Sequence, residues 1–434
     1  MRGISTLAVS LCLVACGAVP SLGEGTASGG RPQAELPPGG RPACADAPEG
    51  CTRGAGVAPL AGYAPTLPPE DLAPVAAALA EADIVGLGEA AHASAGFLGI
   101  KVRLSRELIE RHGFRAVTWE TARVPMRKLD AYVQTCVGDP TQATIDGLDV
   151  IWADVQTRDF ARWLCEWNRG HPNDRVQVHG VDVQDPRADR TELEQFFERA
   201  VPNEARGWMA ALDACERAQG HAACTAGIAK VRGNMDARRE ELASRGTPAG
   251  LATAHIALTS YEAWQDATMI PGYAESFEAR DIGMARVLEQ LRALHFPGKK
   301  TVLWAHNIHV VKRHETVADS WVGGPIVTQG TQLDRDLGPG RYRTLALIGW
   351  DVFLNRPGQR GHVNPVPTEA SLEARLHELG RGALFVDLHH PNVGEVVPAG
   401  RAFELGAPGV EVHVPADNYD GILFLDASPM AEVL

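Results

Sequence analysis

Past its first fifteen residues the chain has no stretch of 18 consecutive apolar residues, so no transmembrane helix is expected in its body. A basic stripe is missing too. With 41 Lys+Arg against 54 Asp+Glu the formal net charge is -13, which repels a phosphate backbone and argues against nucleic acid as a partner. No Gly-x-Ser-x-Gly elbow occurs, which removes a common frame for a nucleophilic serine, and Ser94 stands in Ala-Ser-Ala. Neither a His-Glu-x-x-His pattern nor an internal repeat is found. What is there is a globular composition, 45% hydrophobic and 22% charged over 434 residues. That length fits one large α/β unit with an insertion, or two or three smaller domains.

The chain opens Met1-Arg2, then runs apolar from Ile4 to Ala15, too short to span a bilayer but suited to the core of a secretory signal. Leu13-Val14-Ala15-Cys16 is similar to the bacterial lipobox, so residues 1–15 are expected to be removed and Cys16 to be lipidated. This predicts an exported bacterial lipoprotein, periplasmic or anchored at the outer membrane, that meets the membrane through its N-terminal lipid only. A secreted soluble protein is the alternative. Residues 16–60 are expected to be a flexible tether, because from Gly17 to about Arg53 Gly, Pro, Ala and Ser dominate and cannot offset ordering entropy. The folded body then occupies residues 61–434. Export permits disulfides, and six of the eight cysteines lie beyond the signal and its anchor. Short separation favours Cys44 with Cys51 and Cys215 with Cys224, which leaves Cys136 with Cys165; buried free thiols are the alternative.

In the body, short apolar runs bounded by Gly or Asp alternate with segments of helical period, which predicts an α/β fold with a mostly parallel sheet flanked by helices. The expected strands are Ile84 to Leu87, Ala116 to Trp119, Val176 to Val181, Thr301 to Ala305, Thr344 to Ile348, Leu384 to Leu388 and Ile422 to Leu425. Between the third and fourth, about residues 190–293, apolar positions recur at three and four with no convincing strand. A large helical insertion or lid is expected there.

Ligand sites of open parallel sheets lie beyond the carboxyl ends of the strands. The residues there are Gly88-Glu89-Ala90-Ala91-His92, Glu120, Asp182 and His306-Asn307-Ile308-His309. One acid or histidine at a strand end is usually a solvated or capping residue, but several together form a site. Water becomes a useful nucleophile at neutral pH when a histidine takes its proton, and a carboxylate on the other ring nitrogen holds the tautomer. Glu89 and His92 are three apart and share a side if the loop turns helical there. Histidines 306 and 309 repeat that spacing, suited to stabilising negative charge on oxygen. His389 and His390 also follow a strand and read as capping or solvating residues, and Trp163, Trp167 and Trp264 as core or groove lining.

Gly88-Glu89-Ala90-Ala91-His92, with Phe97, Lys101 and Gly113-Phe114 after it, resembles the opening motif of the erythromycin esterase family, which hydrolyses the lactone ester of macrolide antibiotics. Glu120, Trp163-Leu164 with Trp167-Asn168, Gly180-Val181-Asp182, Arg280-Asp281 with Met284-Ala285, Trp304-Ala305-His306-Asn307-Ile308-His309 and Asp420-Gly421-Ile422 continue the resemblance, which covers about residues 84–426. It implies an esterase that attacks a carboxylic ester with activated water and needs no cofactor. By the same resemblance His92 is the general base, Glu89 and Glu120 orient or polarise around it, and His306 is the second catalytic-site histidine. Lys101, Asp182, Arg280, Asp281, Asn307 and His309 fall in substrate-binding or supporting places, and the partner is a small-molecule ester, plausibly a macrolide. Some members carry Arg where this chain has Lys101, which trades a bidentate fork for a point charge. Asp281 also fits a simple helix cap before Met284 and Leu288. Two rival readings stand: a metal-dependent hydrolase of another ester or amide, since Glu and His are both ligands, and a catalytically silent ligand-binding lipoprotein, against which Glu89, His92, Glu120 and His306 are all intact.

Overall fold

The computed structural model describes residues 56–216, 220–318, 320–356, 359–362, 371–397, 402–403, 411–413 and 415–434. The signal peptide, the lipidated Cys16, most of the tether and the Cys44–Cys51 pair lie outside the described residues. Among the described residues there are eleven strands: β1 (Val57–Pro59), β2 (Ile84–Leu87), β3 (Phe114–Ala122), β4 (Gln177–Asp182), β5 (Lys300–Trp304), β6 (Tyr342–Arg356), β7 (Gln359–His362), β8 (Ala383–Asp387), β9 (Ala402–Phe403), β10 (Glu411–Val412) and β11 (Gly421–Ser428). The main sheet runs β1-β8-β11-β6-β2-β5-β3-β4, with β7 paired to β6. The six strands from β11 to β4 are mutually parallel, while β8 runs antiparallel to both its neighbours.

The continuous apolar runs are strands buried on both faces. Val85, Leu87, Val117, Trp119, Val302, Trp304, Leu345 and Leu347 pack on one side. Ile84, Ala116, Leu303, Ala346 and Ile348 pack on the other, as alternation of side chains along a strand requires. All seven expected strands form. The sheet also begins before residue 61: Val57 is buried and β1 pairs with β8, so the tether expected to reach residue 60 ends earlier.

Six helices fill the connection from β4 to β5, the first Pro186–Ala200 and the last Tyr273–His295. They enclose their own core of Leu193, Phe196, Phe197, Leu212, Ile228, Val231 and Leu258. Cys215–Cys224 joins two of them, and Cys136–Cys165 ties the helix after β3 to the helix before β4. No described helix is long and apolar enough to cross a membrane.

Topology places the site. The chain leaves β2 through helix Ala95–His112 and enters β3 two positions away, whereas from β5 it crosses back over β2 to reach β6. The first helix packs Phe97 and Leu98 on one face; the second connection packs Val310 and Leu333 on the other. Connections that diverge from neighbouring strands open a crevice at their carboxyl ends.

Candidate active site

The polar residues expected at the strand ends converge because β2, β5, β3 and β4 are consecutive in the sheet. Their side chains form two charged groups. In the first, Glu89 Oε1 lies 2.8 Å from His92 Nδ1 and Glu89 Oε2 accepts from Lys101 Nζ at 2.8 Å. Lys101 also donates to the Ala305 carbonyl at 3.3 Å. Burial pushes the Lys101 amine down, and the adjacent Glu89 charge resists it. A carboxylate oxygen against Nδ1 favours the His92 tautomer that carries its proton there.

The stretch from Gly88 to Ser94 is a turn, not the helix the Glu89–His92 spacing suggested. Directly after His92 the chain leaves this turn through Ala93 at φ 52°, a left-handed conformation that costs a non-glycine residue roughly 1–3 kcal/mol. Gly88 is required earlier in the turn, since a Cβ there would lie 2.1 Å from Asn307 Oδ1. Asn307 is a latch for this loop: its side chain pairs with both backbone groups of Leu347, at 2.9 and 3.1 Å, and its N–H donates to the Glu89 carbonyl. These contacts are structural support for the loop.

The second group is Glu120, Asp182, Arg280, Asp281 and His309. Arg280 forks onto Asp182, Nε to Oδ1 at 3.0 Å and Nη2 to Oδ2 at 2.8 Å, and Nη2 also reaches Glu120 Oε1 at 2.9 Å. His309 Nδ1 meets Asp281 Oδ1 at 2.7 Å, and its Nε2 lies 3.1 Å from Glu120 Oε1. Burial alone would neutralise the ring, but Asp281 and Glu120 outweigh it and raise His309 to about 10. A cationic ring donates at both nitrogens, so the 3.2 Å approach of Arg280 Nη1 to Nε2 is a contact between cations held by the surrounding acids. Burial works to raise the Glu120 carboxyl, yet His309 and Arg280 hold it well below its ordinary value.

Asp281 sits inside helix Tyr273–His295, where it anchors His309 and accepts from the Gln329 N–H at 2.9 Å; the helix-cap expectation is corrected. His309 is likewise not the oxyanion donor its spacing suggested, because both ring nitrogens are committed to carboxylates. His306 differs. It caps the short helix Asn307–Val310, stands half-buried beside His92 with ring centroids 5.3 Å apart, and has its pKa held well below the ordinary histidine value by burial first and by the neighbouring His92 ring second. Its Nε2 is 3.3 Å from the Ala90 carbonyl, and its N–H donates to Glu120 Oε2 at 2.9 Å. Glu120 therefore links the two groups.

Three residues joined the site without a sequence signal. Trp152 packs edge-on to His92 at 5.4 Å, lies 4.7 Å from Lys101 Nζ and donates from Nε1 to the Glu120 carbonyl at 2.8 Å. Asp154 caps helix Val155–Gly170, and burial raises its carboxyl to about 7. Phe277 stacks on His309 at 5.1 Å. His389 is excluded, since β8 ends at the opposite edge of the sheet and His389 Nε2 bonds Asp420 at 2.8 Å.

Among the described residues no group of three or more His, Cys, Asp or Glu is arranged to hold a metal ion. The donor set gives the reason: Glu89, Glu120, Asp182 and Asp281 each already face Lys101, Arg280 or His309.

Fold and site together define an α/β protein with a histidine–carboxylate centre at the carboxyl edge of a mostly parallel sheet. The chain belongs to the erythromycin esterase family, whose pattern it matches over residues 109–428. A 120-residue stretch is 32% identical to the putative hydrolase YbfO of Bacillus subtilis and covers 26% of each chain. Another of 125 residues is 27% identical to erythromycin esterase type I of Escherichia coli, covering 27% of this chain and 28% of that one. The matches thus span about a quarter of the curated relatives' length. The solved structure of a mutant erythromycin esterase EreC, in its open conformation, shares the fold with TM-score 0.67 at 17% identity, over 86% of this chain and 98% of that one. The family match begins after Glu89, His92 and Lys101, so the argument for those three residues is geometric.

Proposed function

We propose that the protein hydrolyses a carboxylic ester, a macrocyclic lactone of the macrolide type, by water attack with His92 as general base. The Glu89–His92 contact carries this reading, because it sets the tautomer that accepts a proton at Nε2. The surroundings support it. Four carboxylates, Glu89, Glu120, Asp182 and Asp281, stand against three cations, Lys101, Arg280 and His309. Their excess negative charge favours the imidazolium that forms as water attacks. His306, beside His92 and on a long 3.3 Å bond to Ala90, is the donor we assign to the carbonyl oxygen. Balance is simple: the water oxygen bonds the carbonyl carbon, His92 takes its proton, and the ester C–O bond breaks as His92 returns that proton to the leaving alkoxide. Family membership supports the reaction class, and the macrolide is the finer part of the proposal.

The test is mass spectrometry of a 14-membered macrolide incubated with the soluble body, with and without chelator, beside His92→Ala. Gain of one water that needs His92 and ignores chelator is expected. Loss of activity with chelator would replace this reading by the metal-dependent one, and an active His92→Ala protein would overturn it. We also propose export and lipidation at Cys16, for which the two disulfides are supporting chemistry; the mass of the mature N-terminal peptide tests this.

A further inference from the structure

The loop that carries His92 is held from an unexpected direction. Beyond the end of β11, residues 429–434 run back across the carboxyl edge of the sheet and bond two loops of the site. On one side the Ala95 N–H donates to the Pro429 carbonyl at 2.7 Å, and the Ala431 N–H donates to the Ala93 carbonyl at 2.9 Å. On the other the Val155 N–H donates to the Glu432 carbonyl at 3.0 Å, and the Leu434 N–H donates to the Ala153 carbonyl at 3.0 Å. Ser94 and Asp154 form the matching antiparallel bridges, to Met430 and Val433.

The anchor point is packed without slack. Ser428 Oγ lies 2.6 Å from Ser94 Oγ and accepts from the Gly96 N–H at 2.9 Å. A Cβ on Gly96 would come within 2.5 Å of that Oγ, so glycine is what lets the strand end approach. A second tie comes from Asn355, whose side-chain amide donates to the Ala431 carbonyl at 2.8 Å.

We propose that residues 429–434 are a positioning strap that fixes the His92 loop against the Trp152–Asp154 loop, and that the base is held in register only while the strap is seated. The reasoning is local. Ala93, directly after His92, is a left-handed residue that leads the chain out of the His92 loop, and a backbone held away from its preferred conformation needs outside contacts to stay there. The strap supplies the bond to the Ala93 carbonyl and, one strand-width away, the bond to Ala153, next to the tryptophan that packs on His92. The strap lies beyond residue 428, where the family match stops, so its role does not come with family membership. The inference rests on His92 being the base.

Two variants test it: the chain ended after Ser428, and Ala431→Pro, which removes the N–H that bonds Ala93 and leaves the rest of the chain in place. Two readouts are taken, kcat and KM for ester hydrolysis and the rate of carbethoxylation at His92 by diethylpyrocarbonate, followed by peptide mass. Expected are a kcat lower by about 10 to 100 fold, the cost of a misplaced group, KM changed far less, faster modification of His92, and partial recovery of both on adding a synthetic peptide of residues 429–434. Wild-type modification rate and wild-type kcat in Ala431→Pro would overturn the strap. If the wild-type chain hydrolyses no ester, the modification rate decides the strap alone, so its failure and that of the esterase reading stay distinct.

Discussion

His92 and His309 are both histidines beside carboxylates at the same edge of one sheet, and they are built for opposite ends. His92 has one carboxylate on Nδ1 and keeps 8% of its surface accessible. His309 has a carboxylate at each ring nitrogen and is a buried cation whose Nδ1 and Nε2 are both occupied. A carboxylate directly on each ring nitrogen makes His309 keep its proton. What makes His309 a structural ion is a pair of acids, Asp281 and Glu120, brought to its ring from distant segments, which no spacing of histidines in the chain reveals.

The largest test of that contrast is rate against stability. His92→Ala should lower ester turnover by about 10² to 10⁴ fold, the scale of losing a general base, with an unchanged urea unfolding midpoint. His309→Ala should do the reverse in order of severity: removing the cation takes the ion-pair partner from buried Asp281 and one of two from Glu120 and should cost about 3 to 5 kcal/mol of stability, read by the same urea titration. Equal stability loss in both variants would break the comparison.

Lys101→Arg sharpens it at smaller scale. The amine is fully buried under Trp152 and Trp304, at 4.7 and 5.7 Å from their ring centroids. An Arg there keeps the charge beside Glu89 but overfills the space, so about 1 to 3 kcal/mol of stability should be lost, with a smaller fall in turnover than in His92→Ala. No change in the urea midpoint would show that the neighbouring tryptophans yield, and that the Lys found here is not set by packing.

Much of this was legible beforehand for one reason. In a sheet buried on both faces the strands read as bare apolar runs, so β2, β5, β3 and β4 could be located and the residues after them read as one edge. Glu89, His92, Glu120, Asp182 and His306 came from that rule. The rule does not reach His389, read as capping or solvating, because it assumes a parallel strand and β8 is antiparallel, and direction leaves no mark in a short apolar run. Arg280 and Asp281 are found through motif resemblance, and their pairing with Glu120, Asp182 and His309 only through the fold, since the insertion returns a helix to the strand ends. Trp152, Asp154 and residues 429–434 had neither period nor motif. Their roles depend on contacts between segments far apart in the chain.

The smallest expected effect is the most specific to His309. Its folded pKa, about 10, lies above that of an unfolded histidine, so its contribution to stability is complete below roughly pH 6.5 and is lost as pH rises through about 10. Asp154 works in the other sense: its raised carboxyl, at about 7, withdraws stability as pH climbs from the acid side, and that withdrawal is complete by about pH 8. Between about pH 8 and 10, then, His309 should govern the difference between wild type and a variant that cannot titrate there. The melting temperature of the wild-type protein should fall more steeply over that interval than that of His309→Gln, measured in the same buffers. Parallel slopes would mean that the ring is neutral in the folded protein, and the two-carboxylate account of its charge would fail.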